Sequence, residues 1–211
     1  MSRVLRTPLT TAIIGLTAVA VLSATTKFTS TFKSMDAGGT SFAGKKVAAL
    51  IMSNDFALRM SAEEALVREL SPRGMQAIAA YRIAPKEELA SAEKARPWFE
   101  KAGIDGIVVV RPVSAETRQA YTTAMWMGPN YGTLWGYYGY GWGTVYVFGS
   151  AQKERVIVAE TTIYSVPKNQ LLWAAVTETT NARDAQTFFA ELAKETVREM
   201  QKQGLARSQP R

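Results

Sequence analysis

The chain has 211 residues, 47% hydrophobic and 20% charged, enough for one domain with a real core and against global disorder. Its net charge of +7 suits an anionic surface, although a basic surface kept for solubility is the plainer reading. It has no cysteine and no histidine, which excludes disulfides, thiolate nucleophiles, Cys/His zinc sites and every His-dependent triad.

Residues 1–24 read as an export signal or an N-terminal anchor. Arg3 and Arg6 give a basic start, an uncharged apolar run follows, and Ser23-Ala24 supply small residues for cleavage. The run is short for a spanning helix, which favours cleavage over anchoring. Leu22-Ser23-Ala24-Thr25 has the shape of a bacterial lipobox, but Thr25 stands where the acylated cysteine belongs, so no lipid is expected there. The protein is expected in the periplasm or elsewhere in the envelope, free or held by the uncut segment. Residues 25–41 are rich in Thr, Ser, Lys and Gly and read as a linker, with Phe28 and Phe32 allowing an edge strand instead.

A single α/β domain is expected over 42–205. Lys46 to Met52 reads as a buried strand. A helix follows, capped at Ser53-Asn54-Asp55 or begun at Ser61, with Leu58, Ala62, Ala65, Leu66 and Leu70 at helical spacing. Ser71-Pro72-Arg73-Gly74 ends it. Met75 to Tyr81 reads as a second strand, 85–90 as a short helix, and Glu93 to Ala102 as a helix interrupted at Pro97, with Trp98, Phe99 and Ala102 inward. Asp105 to Val113, a short β-branched run after Gly103, reads as the central strand, buried on both faces.

Beyond Pro112 the pattern changes from α/β to α+β. Thr117 to Trp126 and Thr144 to Phe148 read as strands. Arg155–Val166 and Leu171–Thr180 form a hairpin around Pro167-Lys168-Asn169-Gln170, where proline sets φ and Asn tolerates the left-handed region. A last helix runs from Ala182 to Gln203, with Phe189, Leu192, Ala193, Thr196, Val197 and Met200 on its inner face and Gly204 at its end. Residues 206–211 read as a disordered tail. The expected fold is α/β: βαβα(β) units, then antiparallel strands and a C-terminal helix, in one mixed sheet.

Lys46-Val47-Ala48-Ala49-Leu50, the helix through Ala62-Glu63-Glu64-Ala65-Leu66 to Gly74, and the step Lys101 to Val109 carry a resemblance. They resemble small envelope α/β domains, such as the amino-terminal domain of the Tol–Pal translocation protein and the curli-secretion accessory lipoproteins. The resemblance covers roughly 44–113 and implies a fold and an envelope setting only. The whole chain resembles uncharacterised bacterial exported proteins, often with a lipobox, a group that implies no activity.

One stretch is unusual. Residues 127–143 interleave glycines with Tyr131, Trp135, Tyr137, Tyr138, Tyr140 and Trp142, and read as a Gly/aromatic loop between strands. Those six aromatics are the candidate partner-binding residues. They suit contact with another envelope protein, stacking on cell-wall glycan, or a membrane surface. The plainer alternative is that the loop folds back over a sheet face. The glycine spacing does not fit phosphate cradling, and export argues against nucleic acid.

Catalysis is not expected. Glu63 and Glu64 are adjacent on a helix and read as a solvated face. Glu160 and Glu178 sit on the two hairpin arms and are expected outward, beside a Lys or Arg, because like charges facing each other repel. Lys45 and Lys46 precede a strand and look exposed, so no Ser/Lys dyad is apparent. No metal or cofactor is expected. The sequence therefore reads as an exported, non-catalytic interaction module, with a hydrolase as the weakest reading.

Overall fold

A computed structural model describes residues 24–113, 121–144 and 156–207. Among these residues the strands are β1 (Thr25–Lys33), β2 (Lys46–Ile51), β3 (Gln76–Ala79), β4 (Gly106–Val113), β5 (Val156–Ser165) and β6 (Gln170–Thr180). The helices are α1 (Phe56–Leu70), α2 (Ala80–Ile83), α3 (Ala92–Lys101), α4 (Thr123–Met127), α5 (Leu134–Gly143) and α6 (Ala185–Lys202). The strands form one mixed sheet in the order β1-β6-β5-β4-β2-β3. β2 runs parallel to β3 and β4, and the β4-β5, β5-β6 and β6-β1 pairs are antiparallel. This is the expected α/β fold with a mixed sheet and a closing helix.

β4 lies inside the sheet, between β5 and β2, with every residue buried. Pro112 fits there because β2 pairs only as far as Ile51, opposite Val110. Beyond that point no second neighbour needs the missing N–H. Strand alternation divides the core into two layers. Val47, Ala49, Ile51, Val108, Val110 and Trp173 meet α1 and α6 on one face. Ala48, Leu50, Ile107, Val109, Tyr164 and Ala174 meet Phe99 of α3 and Tyr137 and Tyr138 of α5 on the other.

Asp55 caps α1 by accepting from the Leu58 N–H at 3.0 Å, so the earlier of the two possible starts is used. Asn169 takes φ 49° in the hairpin turn, as its position demands. Asp184 caps α6 through the Thr187 N–H, and the six inner-face residues of that helix are all buried.

Several expectations are corrected. The 25–41 stretch is not a linker throughout: Thr25–Lys33 is β1, pairing along β6, with Phe28 edge-on to Trp173 at 6.1 Å. The edge-strand alternative for Phe28 and Phe32 therefore applies. Residues 86–90 form turns, and α2 replaces the end of the second predicted strand. Trp98 points outward, 37% exposed. Of the predicted strand Thr117–Trp126, the described part enters α4 instead, and 145–148 lie outside the described residues. Residues 127–143 are not a loop: they hold the end of α4, a turn and α5. In the expected tail, Ala206 is buried and the Arg207 carbonyl accepts from Gln201. Residues 208–211 and the export segment, save Ala24, lie outside the described residues. Among the described residues no helix is long and apolar enough to cross a membrane.

Candidate functional site

The aromatic segment is organised around a buried carboxylate. Arg111 on β4 and Glu160 on β5 are direct cross-strand partners, so both side chains point to the α5 face. Their side chains are 3% and 0% exposed. Arg111 donates from Nε to Glu160 Oε2 at 3.0 Å, and its Nη2 lies 2.7 Å from the same oxygen. Tyr137 donates to Oε2 at 2.8 Å. Tyr121 and Tyr131 donate to Oε1 at 2.7 and 2.9 Å. Arg111 also donates to Thr144, and its guanidinium lies 5.0 Å from the centre of the Tyr140 ring.

Both Glu160 oxygens are thus occupied by donors, which answers the cost of burying a charge. Burial, and then the Glu160 charge, push the Tyr121, Tyr131 and Tyr137 hydroxyls above their ordinary range. They therefore stay protonated and keep donating. Burial works against the Arg111 charge, but Tyr137 and Glu160 beside it hold its pKa above the usual arginine value. The cluster leaves no acceptor for a metal and no activated nucleophile, and among the described residues no group of three acidic side chains could hold a metal.

The segment folds as it does because its bulky side chains recur at helical spacing. Leu134, Tyr137, Tyr138 and Gly141 are the buried residues of α5, at i, i+3, i+4 and i+7. Thr133 caps the helix by accepting from the Gly136 N–H, and Asn169 Oδ1 accepts from the Trp135 N–H at 3.1 Å. Glycine is required at one contact, against backbone, and at a second a Cβ would crowd a buried side chain. A Cβ on Gly136 would lie 2.4 Å from the Pro129 carbonyl oxygen, and one on Gly141 would lie 2.4 Å from Met52 Sδ.

The six candidate contact residues separate accordingly. Tyr131, Tyr137 and Tyr138 are buried. Tyr138 donates to the Leu89 carbonyl at 2.8 Å, and the Tyr131 carbonyl accepts from Tyr164 at 2.7 Å. Tyr140 and Trp142 are half-buried, with rings facing the guanidinium groups of Arg111 and Arg59. Trp135 is half-buried beside Phe99 and Tyr138, and lines an open cleft of about 340 Å³ with Arg96, Glu100, Asp105, Pro167 and Asn169.

Two carboxylates expected at the surface lie in the interior instead. Glu160 is one, and it faces Val176 across the hairpin rather than Glu178. Glu63 is the other, fully buried at the centre of α1. It accepts from the Ile51 N–H at 3.3 Å and the Tyr81 N–H at 2.9 Å, and lies 3.3 Å from Arg59 Nε. Burial raises its pKa from 4.5 to about 7, against the lowering pull of Arg59 and those N–H groups. Lys45 and Lys46 are exposed as expected.

Sequence reasoning misses Arg111 and the burial of Glu160 and Glu63; the Arg59–Glu63 pair that i,i+4 spacing predicts on α1 does form, but in the interior. Arg111 shares strand parity with Val109 and Val113, which marked it as inward-facing.

No family model and no curated protein matches the sequence. Among solved structures the chain is similar to two dodecamers of PelC from Paraburkholderia phytofirmans. One, a single-site variant, is 16% identical with a TM-score of 0.42 over 87% of this chain and 99% of that one. The other is 14% identical with a TM-score of 0.42 over 88% and 99%.

Proposed function

We propose that this chain is an exported, non-catalytic envelope protein that works as a binding module. Its contact face is narrower than the aromatic segment suggests. The observation that carries this reading is the division of the segment: the tyrosine hydroxyls on Glu160 are committed inward, while Trp135 reaches a surface cleft lined by polar side chains. Committed donors on a sealed carboxylate support scaffolding rather than proton transfer, because a working acid or base must reach a substrate. A half-buried aromatic at the wall of a cleft, among polar groups, suits recognition. The export reading rests on residues 1–24 of the sequence.

The test is in-cell crosslinking followed by mass spectrometry, comparing the natural chain with Trp135→Ala. A specific crosslinked envelope component that disappears while the domain stays folded supports the module and identifies its pathway. Unchanged crosslinks remove the cleft from the reading. Exchanging all of 128–143 for a flexible linker is the wrong comparison, since it strips Glu160 of the Tyr131 and Tyr137 donors and unfolds the core.

A further inference from the structure

We infer that the Trp135 cleft receives a neutral saccharide ring, an inference that rests on the binding-module reading above. At about 340 Å³ the cleft is at the small end of ligand pockets, which run from roughly 300 to 1,000 Å³. Its lining combines the wide Trp135 indole and the smaller apolar groups of Ile104, Val166 and Pro167 with donors and acceptors. Glu100 and Asp105 offer oxygens and Arg96 offers N–H groups. Asn169 spends its Oδ1 on the Trp135 N–H, and among the described residues its amide nitrogen donates to none, leaving it for a ligand. A pyranose has the matching form: a C–H face and a rim of hydroxyls that both donate and accept.

The charges point to a neutral ligand. Arg96 pairs with Glu100 at 2.7 Å and Asp105 lies 3.7 Å from Lys45, so neither sign is left in excess. A peptide strand is disfavoured because no free sheet edge borders the cleft. Gly106 of β4 pairs with Ser165 of β5, and the Val166 N–H donates to the Asp105 carbonyl.

The Arg96 guanidinium lies over the Trp135 indole, 6.0 Å from its centre. That side chain is 57% exposed and held by an exposed ion pair, so moving it aside costs little. The sugar ring replaces Arg96 on the indole, and Arg96 turns to the rim, where it donates to a hydroxyl.

The experiment titrates the purified chain with two probes, tri-N-acetylglucosamine and cellotriose, at millimolar concentration. Binding is read by calorimetry and by the Trp135 indole N–H signal in ¹⁵N-labelled protein, assigned with Trp135→Phe. Saturable binding that perturbs this indole selectively, and that weakens at least tenfold in Trp135→Ala, is expected. Glu100→Ala, at an exposed position that does not threaten the fold, is expected to weaken binding severalfold. A preference for the first probe points to cell-wall amino sugar, and a preference for the second to plain glucan. No binding of either probe, or binding indifferent to both variants, overturns the inference. If crosslinks are lost in Trp135→Ala while neither sugar binds, the module stands with a protein ligand. If crosslinks and sugar binding both ignore Trp135, both readings fall.

Discussion

Replacing Glu160 with glutamine keeps the side-chain shape, removes its charge and puts an NH₂ where an oxygen was. At the Oε1 position that NH₂ meets the Tyr121 and Tyr131 hydroxyls; at Oε2 it meets Tyr137 and Arg111. At Oε2 the NH₂ faces Arg111, which can only donate; at Oε1 the two tyrosine hydroxyls must turn round to accept. Arg111, 3% exposed, also loses its counter-charge. Unpairing one member of a buried ion pair costs about 3–5 kcal/mol. For a domain of this size each kcal/mol lowers the melting temperature by about 2–4 °C, so Glu160→Gln should lose roughly 6–20 °C. The assay is thermal and urea unfolding of Glu160→Gln, Arg111→Met and the double variant, with the urea slope checked for constancy. The double variant is expected to be less destabilised than the sum of the singles, with coupling above about 1.5 kcal/mol. A Glu160→Gln chain within about 0.5 kcal/mol of the parent, or strictly additive singles, refutes the idea that the carboxylate organises this face.

The glycines of α5 give a sharper contrast. Gly136→Ala pushes a methyl into the Pro129 carbonyl and should cost about 1–3 kcal/mol, whereas Gly139→Ala meets nothing within 4 Å and should gain about 0.5–1 kcal/mol; equal urea midpoints for the two variants would discredit the packing described. Glu63, with its pKa raised to about 7, holds its proton in the folded chain where the unfolded chain has already released it. Stability should therefore fall as pH rises from about 4.5 to about 7, by roughly 3 kcal/mol at most, and Glu63→Gln should flatten that slope. A parent curve that rises through this window contradicts the burial argument. Starting the chain at Ser34 removes β1, bares the β6 edge and uncovers Trp173. A lower melting temperature and concentration-dependent light scattering are expected, and an unchanged melting curve would show β1 to be dispensable.

The parts legible in the sequence are those whose signal is local. The β-branched run of β4, the Asn169 turn and the inner stripe of α6 each declare themselves within a few residues. α5 was obscured because its four glycines disfavour a helix by about 1 kcal/mol apiece, and packing overrides that preference. The signal was present all the same, in the spacing of Leu134, Tyr137, Tyr138 and Gly141 and in the Thr133 cap. Glu160 reads as outward because a carboxylate facing Glu178 across the hairpin would be repelled, yet it faces Val176. Its partner Arg111 is 49 residues away, and its tyrosine donors are scattered: Tyr131 and Tyr137 come from a segment that reads as a loop, and Tyr121 from one that reads as a strand. β1 reads as a linker because its alternation lies in Thr, Ser and Lys rather than in aliphatic residues.

The place of β1 sets an order on folding. Thr25 pairs with Thr180, a separation of 155 residues, so the first strand among the described residues pairs with one formed far later in the chain. Closing so long a loop is slow compared with forming the local α1, α3 and α6 helices. Until β1 docks, β6 is an open edge and Trp173 lacks its Phe28 cover. The earliest strand among the described residues is thus expected to complete the sheet last, leaving the β6 edge open to pairing with other chains until it docks.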